Sequence, residues 1–141
     1  MRFVLDASVA LLWLVPDSNP EGVDYAEATL KSLREAQALV PSLFALEVAN
    51  VIVKVESKGM VTDADSQRFI ALMGRLNMLT DQATASHAVG DTLNIARRYK
   101  LSAHHAAYLE LALRAGFPLA TLDAHLAKAA TTAGVSIYGT H

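Results

Sequence analysis

The sequence predicts an α/β domain in three layers, with a mainly parallel central sheet of about five short strands flanked by helices. Three observations lead there. Short apolar segments alternate with helix-length segments along the whole chain, which implies parallel pairing through right-handed crossovers, with helices on both faces. The 141 residues amount to one domain, 1–141, without repeat, linker or low-complexity stretch. Hydrophobic residues make up 52% and charged residues 18%, a balance that suits a buried core and argues against disorder.

Residues 2–5 read as a buried strand, and the Ala/Leu/Val run over 8–14 as the first helix. Pro16, Asn19 and Pro20 make a loop. Residues 22–37 carry Tyr25, Leu30 and Leu33 at helical spacing, and 38–40 give a second strand before Pro41. Ser42 is the expected N-cap of a long apolar helix running to about Lys58, stopped by Gly59. Thr62 and Asp65 have capping-box spacing for a helix ending near Leu76, and 78–80 is the third strand. Helices over 83–99 and 102–115 are separated only by Lys100 and Leu101, and Gly116 ends the second. A strand over 118–122, a helix over 124–133 and a last strand over 135–138 complete the chain.

Composition excludes several chemistries. The chain has no cysteine, which removes disulfides, thiolate metal sites and cysteine nucleophiles and fits a cytoplasmic location. Arg2 precedes an apolar run resembling a signal sequence, but Asp6 interrupts it and no cleavage site follows. No stretch reaches transmembrane length, so no membrane is expected. With a net charge of −2, binding a polyanion requires a local basic patch or bound cations. No glycine-rich turn follows the first strand, no second acid stands two residues after Asp6, and no Gly-x-Ser-x-Gly elbow occurs. These absences argue against a nucleotide-binding module, a phosphoaspartyl hydrolase and a serine hydrolase.

The most informative pattern is where charge is missing. Asp6 is the only charged residue between Arg2 and Asp17, Glu47 between Glu35 and Lys54, and Asp123 between Arg114 and Lys128. A buried carboxylate is costly unless hydrogen-bonded, paired or metal-bound, and no basic residue lies nearby in sequence. A shared cation is the economical explanation. Asp6 and Asp123 each follow an expected strand, which puts both at the carboxyl edge of a parallel sheet, where open α/β folds place their sites. Each also precedes a helix, so an N-cap role stands beside the metal role. Glu47, about five residues inside its helix, has no cap role; its alternative is a solvated stripe. Asn50 shares its face one turn on and is a candidate to orient it.

Four strings, in order, resemble one family: Val4-Leu5-Asp6-Ala7-Ser8, Leu46-Glu47-Val48-Ala49-Asn50, Leu101-Ser102-Ala103-His104-His105-Ala106-Ala107-Tyr108-Leu109 and Ala120-Thr121-Leu122-Asp123. Together they resemble the PIN-domain ribonucleases, most closely the VapC toxins of bacterial toxin–antitoxin pairs. The resemblance implies a PIN-like fold and RNA phosphodiester hydrolysis at an acidic cluster holding Mg2+ or Mn2+. Asp6, Glu47 and Asp123 are the carried-over metal residues, with Ser8 and Thr121 as polar support. It also implies a small VapB-type antitoxin, an RNA substrate and a homodimer, for which the apolar first helix with Trp13 is a candidate surface.

One departure stands out. The family's third acid belongs to a Ser-x-Tyr-Asp-Ala-x-Tyr pattern, and here Tyr-Asp is His104-His105. Imidazole serves Mg2+ poorly, Mn2+ acceptably and later transition metals better. His105 is therefore either a metal or substrate contact in an altered catalytic site, or the mark of a weakened PIN-fold protein that acts as a partner-binding module. Arg97, Arg98 and Lys100 are candidate RNA contacts, with a charged helix end as the alternative. His87, His125 and His141 share no ligand spacing.

Overall fold

The computed structural model describes residues 1–139, so His141 lies outside it. Four parallel strands, β1 (Arg2–Leu5), β2 (Gln37–Val40), β3 (Met78–Thr80) and β4 (Leu119–Ala120), form one sheet in the order β3-β2-β1-β4. β1 is central, pairing Val4 with Leu39 on one side and Leu119 on the other. Phe3, Val4 and Leu5 are fully buried, as expected for an apolar run covered on both faces. Helices complete the α/β layers: α1 (Ala7–Ala10), α2 (Val23–Ser32), α3 (Phe44–Ser57), α4 (Asp63–Arg75), α5 (Thr84–His87), α6 (Leu93–Tyr99), α7 (Ala103–Ala115) and α8 (Ala124–Thr132). Buried α7 lies against β1, and Leu109, Leu111, Leu119 and Leu126 join the same core.

Several elements depart from expectation. The fifth strand reduces to a single parallel bridge between Leu119 and Ile137. β4 has only two residues to offer, and Leu119 alone bonds the Ser136 carbonyl and the Tyr138 amide. Tyr138 is instead fixed by its ring, stacked on Phe3 at 3.8 Å. The first helix is one α-turn followed by a 3-10 turn over Leu11–Trp13. The second ends at Ser32 because residues 33–36 turn tightly into β2. Ser42 does not cap α3: Leu43 holds that position without a side-chain bond, and the Ser42 amide donates to Thr84 Oγ1. The long helix over 83–99 breaks at Val89 into a π-helical turn, Ala88–Thr92, between α5 and α6.

Other signals hold. Thr62 and Asp65 form the capping box of α4, and Gly116 ends α7 at a φ of +74°; α7 also gains an N-cap that the sequence reading did not name, Ser102. Lys100 takes the left-handed conformation at the end of α6, which lets α7 start after only three linking residues. From central β1 the chain moves outward to β2 and β3 and later returns to the other side as β4. The gap between the carboxyl ends of β1 and β4 is therefore a topological switch point, where parallel sheets open a crevice.

Candidate active site

Asp6 stands at that crevice, directly after β1. Its amide donates to the Ala120 carbonyl at 2.9 Å, and the residue is 2% exposed. Although it precedes α1 it makes no side-chain cap. Its Oδ2 instead accepts from Ser8 Oγ at 2.6 Å and Thr121 Oγ1 at 2.8 Å. Those two hydroxyls in turn accept the Leu122 and Asp123 amides, both at 3.0 Å. Each hydroxyl has one proton, and here it goes to Asp6. Residues two and 115 positions away thus orient one carboxylate from the backbone leaving β4.

Asp123 does two things. Its Oδ2 caps α8 by accepting the Leu126 amide at 2.8 Å, and its side chain lines the same cavity as Asp6. Glu47 lies in the first turn of α3, nearer the helix start than the sequence suggested, where the dipole favours a carboxylate. Its Oε1 accepts from the Tyr108 hydroxyl at 2.5 Å. Asn50 lines the cavity but makes no hydrogen bond to Glu47 among the described residues. Tyr108, fully buried, is the partner missed from sequence. The missed signal was its place one helical turn after His105, together with the need of a buried phenol for an acceptor.

Asp6, Glu47, Asp123, His104 and His105 line one cavity of about 610 Å³, walled by apolar side chains including Leu12 and Leu46. Burial raises the Asp6 carboxyl above the ordinary range; the two hydroxyls partly offset this, and Asp123 adds to it. Burial also raises Glu47, opposed by the Tyr108 bond and reinforced by Asp6. Burial, then the bond to Glu47, pushes the Tyr108 phenol far up, so it remains a donor. His105 is half-buried, with Nδ1 3.8 Å from Asp123 Oδ2, beyond hydrogen-bond reach. His104 is exposed at the cavity's edge.

Among the described residues no Lys or Arg pairs with any of the three acids. Each acid commits one oxygen to an internal bond, leaving Asp6 Oδ1, Glu47 Oε2 and Asp123 Oδ1 without a donor among the described residues. Hard, anionic, undirected oxygens fit Mg2+ or Mn2+ chemically. Among the described residues, however, no three His, Cys, Asp or Glu side chains stand as a ready-made metal shell. The acids share a cavity rather than a closed cage.

Arg97, Arg98 and Lys100 are exposed at the end of α6 and do not line this cavity. The Arg98 guanidinium sits over the Tyr99 ring at 5.5 Å. His125 Nε2 lies 3.2 Å from the Tyr99 carbonyl, joining this basic end to the start of α8. The first helix is not a free apolar surface: the half-buried Trp13 packs on the core and donates its indole N–H to Ala26.

A PIN domain model matches residues 3–131, and the chain belongs to that family. It is similar to Ribonuclease VapC3 of Pyrobaculum aerophilum, 27% identical over 128 residues, covering 91% of this chain and 94% of that protein. In fold it resembles the crystal structure of PAE2754 from the same organism. That match has a TM-score of 0.64 at 19% identity and covers 92% of this chain and 84% of the other. Among the described residues no helix is long and apolar enough to cross a membrane.

Proposed function

We propose that the chain is a metal-dependent endoribonuclease, the toxin of a VapBC-type toxin–antitoxin pair. The observation that carries this is the set of three carboxylates in one cavity, each with one anchored and one undirected oxygen and none with a basic partner. Family membership and the likeness to a protein named a VapC ribonuclease supply the reaction class.

Asp6, Glu47 and Asp123 would hold Mg2+ or Mn2+. Bound there, the ion supplies a polarised water and neutralises charge developing on a phosphodiester. The chain's own contribution is orientation. Ser8 and Thr121 fix Asp6, and the start of α8 fixes Asp123. Arg97, Arg98 and Lys100 would take the RNA backbone as it leaves the cavity, the local patch that a net charge of −2 makes necessary. An antitoxin or a second copy would meet exposed Leu46 and Val53, 76% and 65% accessible on α3, rather than Trp13.

A second reading is favoured by one observation, the imidazole of His105 beside Asp123 where the family pattern has an acid. With three acids in place of four, Mg2+ is held weakly and the protein acts chiefly as a partner-binding module. RNA cleavage assays with Mg2+ and with Mn2+ separate the two. The enzyme reading expects activity that Asp6→Asn sharply reduces, stronger with Mn2+ than with Mg2+, and Mg2+ activity raised by His105→Asp but not by His105→Ala. No cleavage by the parent protein or by His105→Asp, with either metal, would leave the module reading.

A further inference from the structure

We propose that Tyr108 is a positioning residue for the metal site, fixing Glu47 by one oxygen so that the other serves the cation. This rests on the metal-dependent reading above. The three acids are not equally secured. Asp6 is held by two hydroxyls, and Asp123 by a backbone amide three residues on in its own helix. Glu47 has a longer side chain, with more rotamer freedom to lose, and its single hydrogen bond comes from another helix, 61 positions away.

Tyr108 is suited to the task. It is fully buried within α7, whose buried run from Ala106 to Ala112 packs on the core, so its ring cannot follow a moving carboxylate. The hydroxyl has no other acceptor among the described residues. Asn50, the polar neighbour on the face of Glu47, does not share the work. One phenol therefore decides which Glu47 oxygen is occupied and which remains, and it does so from the helix that carries His105 on the cavity wall.

The test is calorimetric titration of Mn2+ into the purified full chain at neutral pH, comparing the parent, Tyr108→Phe and Leu111→Val. Phe keeps the ring and removes the donor; Val trims a buried side chain of the same helix without touching Glu47. Tyr108→Phe should raise the Mn2+ Kd about tenfold, the lower end of what losing a partner of a metal ligand does. Leu111→Val should lower the melting temperature while leaving Kd within twofold. A Tyr108→Phe Kd within twofold of the parent, or an equal loss in Leu111→Val, would overturn the positioning role while leaving the metal site standing. A parent chain that binds no Mn2+ would overturn the metal reading and this inference with it. Should Tyr108→Phe not fold, carbon-13 NMR of the parent titrated with Mg2+ replaces it: the Glu47 carboxyl and Tyr108 Cζ resonances should shift together, and a Tyr108 signal that stays still contradicts the proposal.

Discussion

Two groups of carboxylates sit at the margin of this core, and they are treated in opposite ways. Glu110, 4% exposed, and Asp81 share Arg114, whose guanidinium reaches Glu110 at 2.8 and 3.0 Å and Asp81 at 2.7 and 3.1 Å. Asp6, 2% exposed, shares its cavity with Glu47 and Asp123, and among the described residues no Lys or Arg pairs with it. The acidities diverge accordingly. The Arg114 bonds hold Asp81 below the usual carboxylate range, whereas burial lifts Asp6 and Glu47 above it. One cluster is electrostatically complete and ties the end of β3 to α7. The other has no Lys or Arg partner among the described residues, which is the arrangement that the proposed metal-dependent reading uses.

The largest effect should fall on chemistry. Asp6→Asn should cut RNA cleavage by about 1,000-fold, because several kcal/mol of metal-borne stabilisation depend on that charge. Arg114→Met, which breaks the complete cluster, should leave metal affinity near the parent value but cost about 3 kcal/mol of folding stability, measured by urea unfolding. That is the lower end for orphaning a buried carboxylate, since Arg114 is 28% exposed and His87 lies 3.9 Å from Glu110. A smaller effect is expected at Thr121. Thr121→Val removes one of two hydroxyls on Asp6 and the acceptor of the Asp123 amide, so metal affinity should fall about tenfold with the fold intact.

The subtlest difference is in the sign of the pH dependence without metal. Asp6 and Glu47, raised from 3.8 and 4.5, bind protons more tightly folded than unfolded, so their contribution is present below those values and lost as pH rises through the elevated folded pKa. Asp81, lowered from 3.8, contributes above that value and loses its contribution as pH falls through the depressed folded pKa. Asp6→Asn should therefore melt a few degrees above the parent at neutral pH, with the advantage vanishing as Asp6 protonates. The deficit of Arg114→Met should be largest at neutral pH and shrink in acid. Melting curves across that range, with a chelator present, would break the comparison if both variants moved in the same direction.

Much of this was legible because local chemistry and tertiary demand agreed. The apolar run ending at Asp6, the Thr62 and Asp65 box and the stop at Gly116 each need only a few adjacent residues, and each forms as read. The isolation of Asp6, Glu47 and Asp123 from other charges marked the cavity that they share. What stayed hidden depended on distant partners. The stretch over 135–138 has strand composition, but the two-residue β4 gives it one bridge. Ser42 looks like a cap, but Thr84 takes its amide. The bonds from Tyr108 to Glu47 and from Arg114 to Asp81 span 61 and 33 positions, and no spacing rule connects such pairs. Of the two readings of Asp123, the cap is fulfilled, and the side chain also lines the cavity in which the metal role is proposed.

The most direct test of the central claim, that the unpaired acids form the cation site, is an anomalous difference map from crystals grown with Mn2+. The account predicts one strong peak at ligand distance from Asp6, Glu47 and Asp123, absent from crystals of Asp6→Asn, and none beside Asp81 and Glu110, whose charge Arg114 already meets. A map without density in that cavity at saturating Mn2+, or a peak that persists in Asp6→Asn, would contradict it.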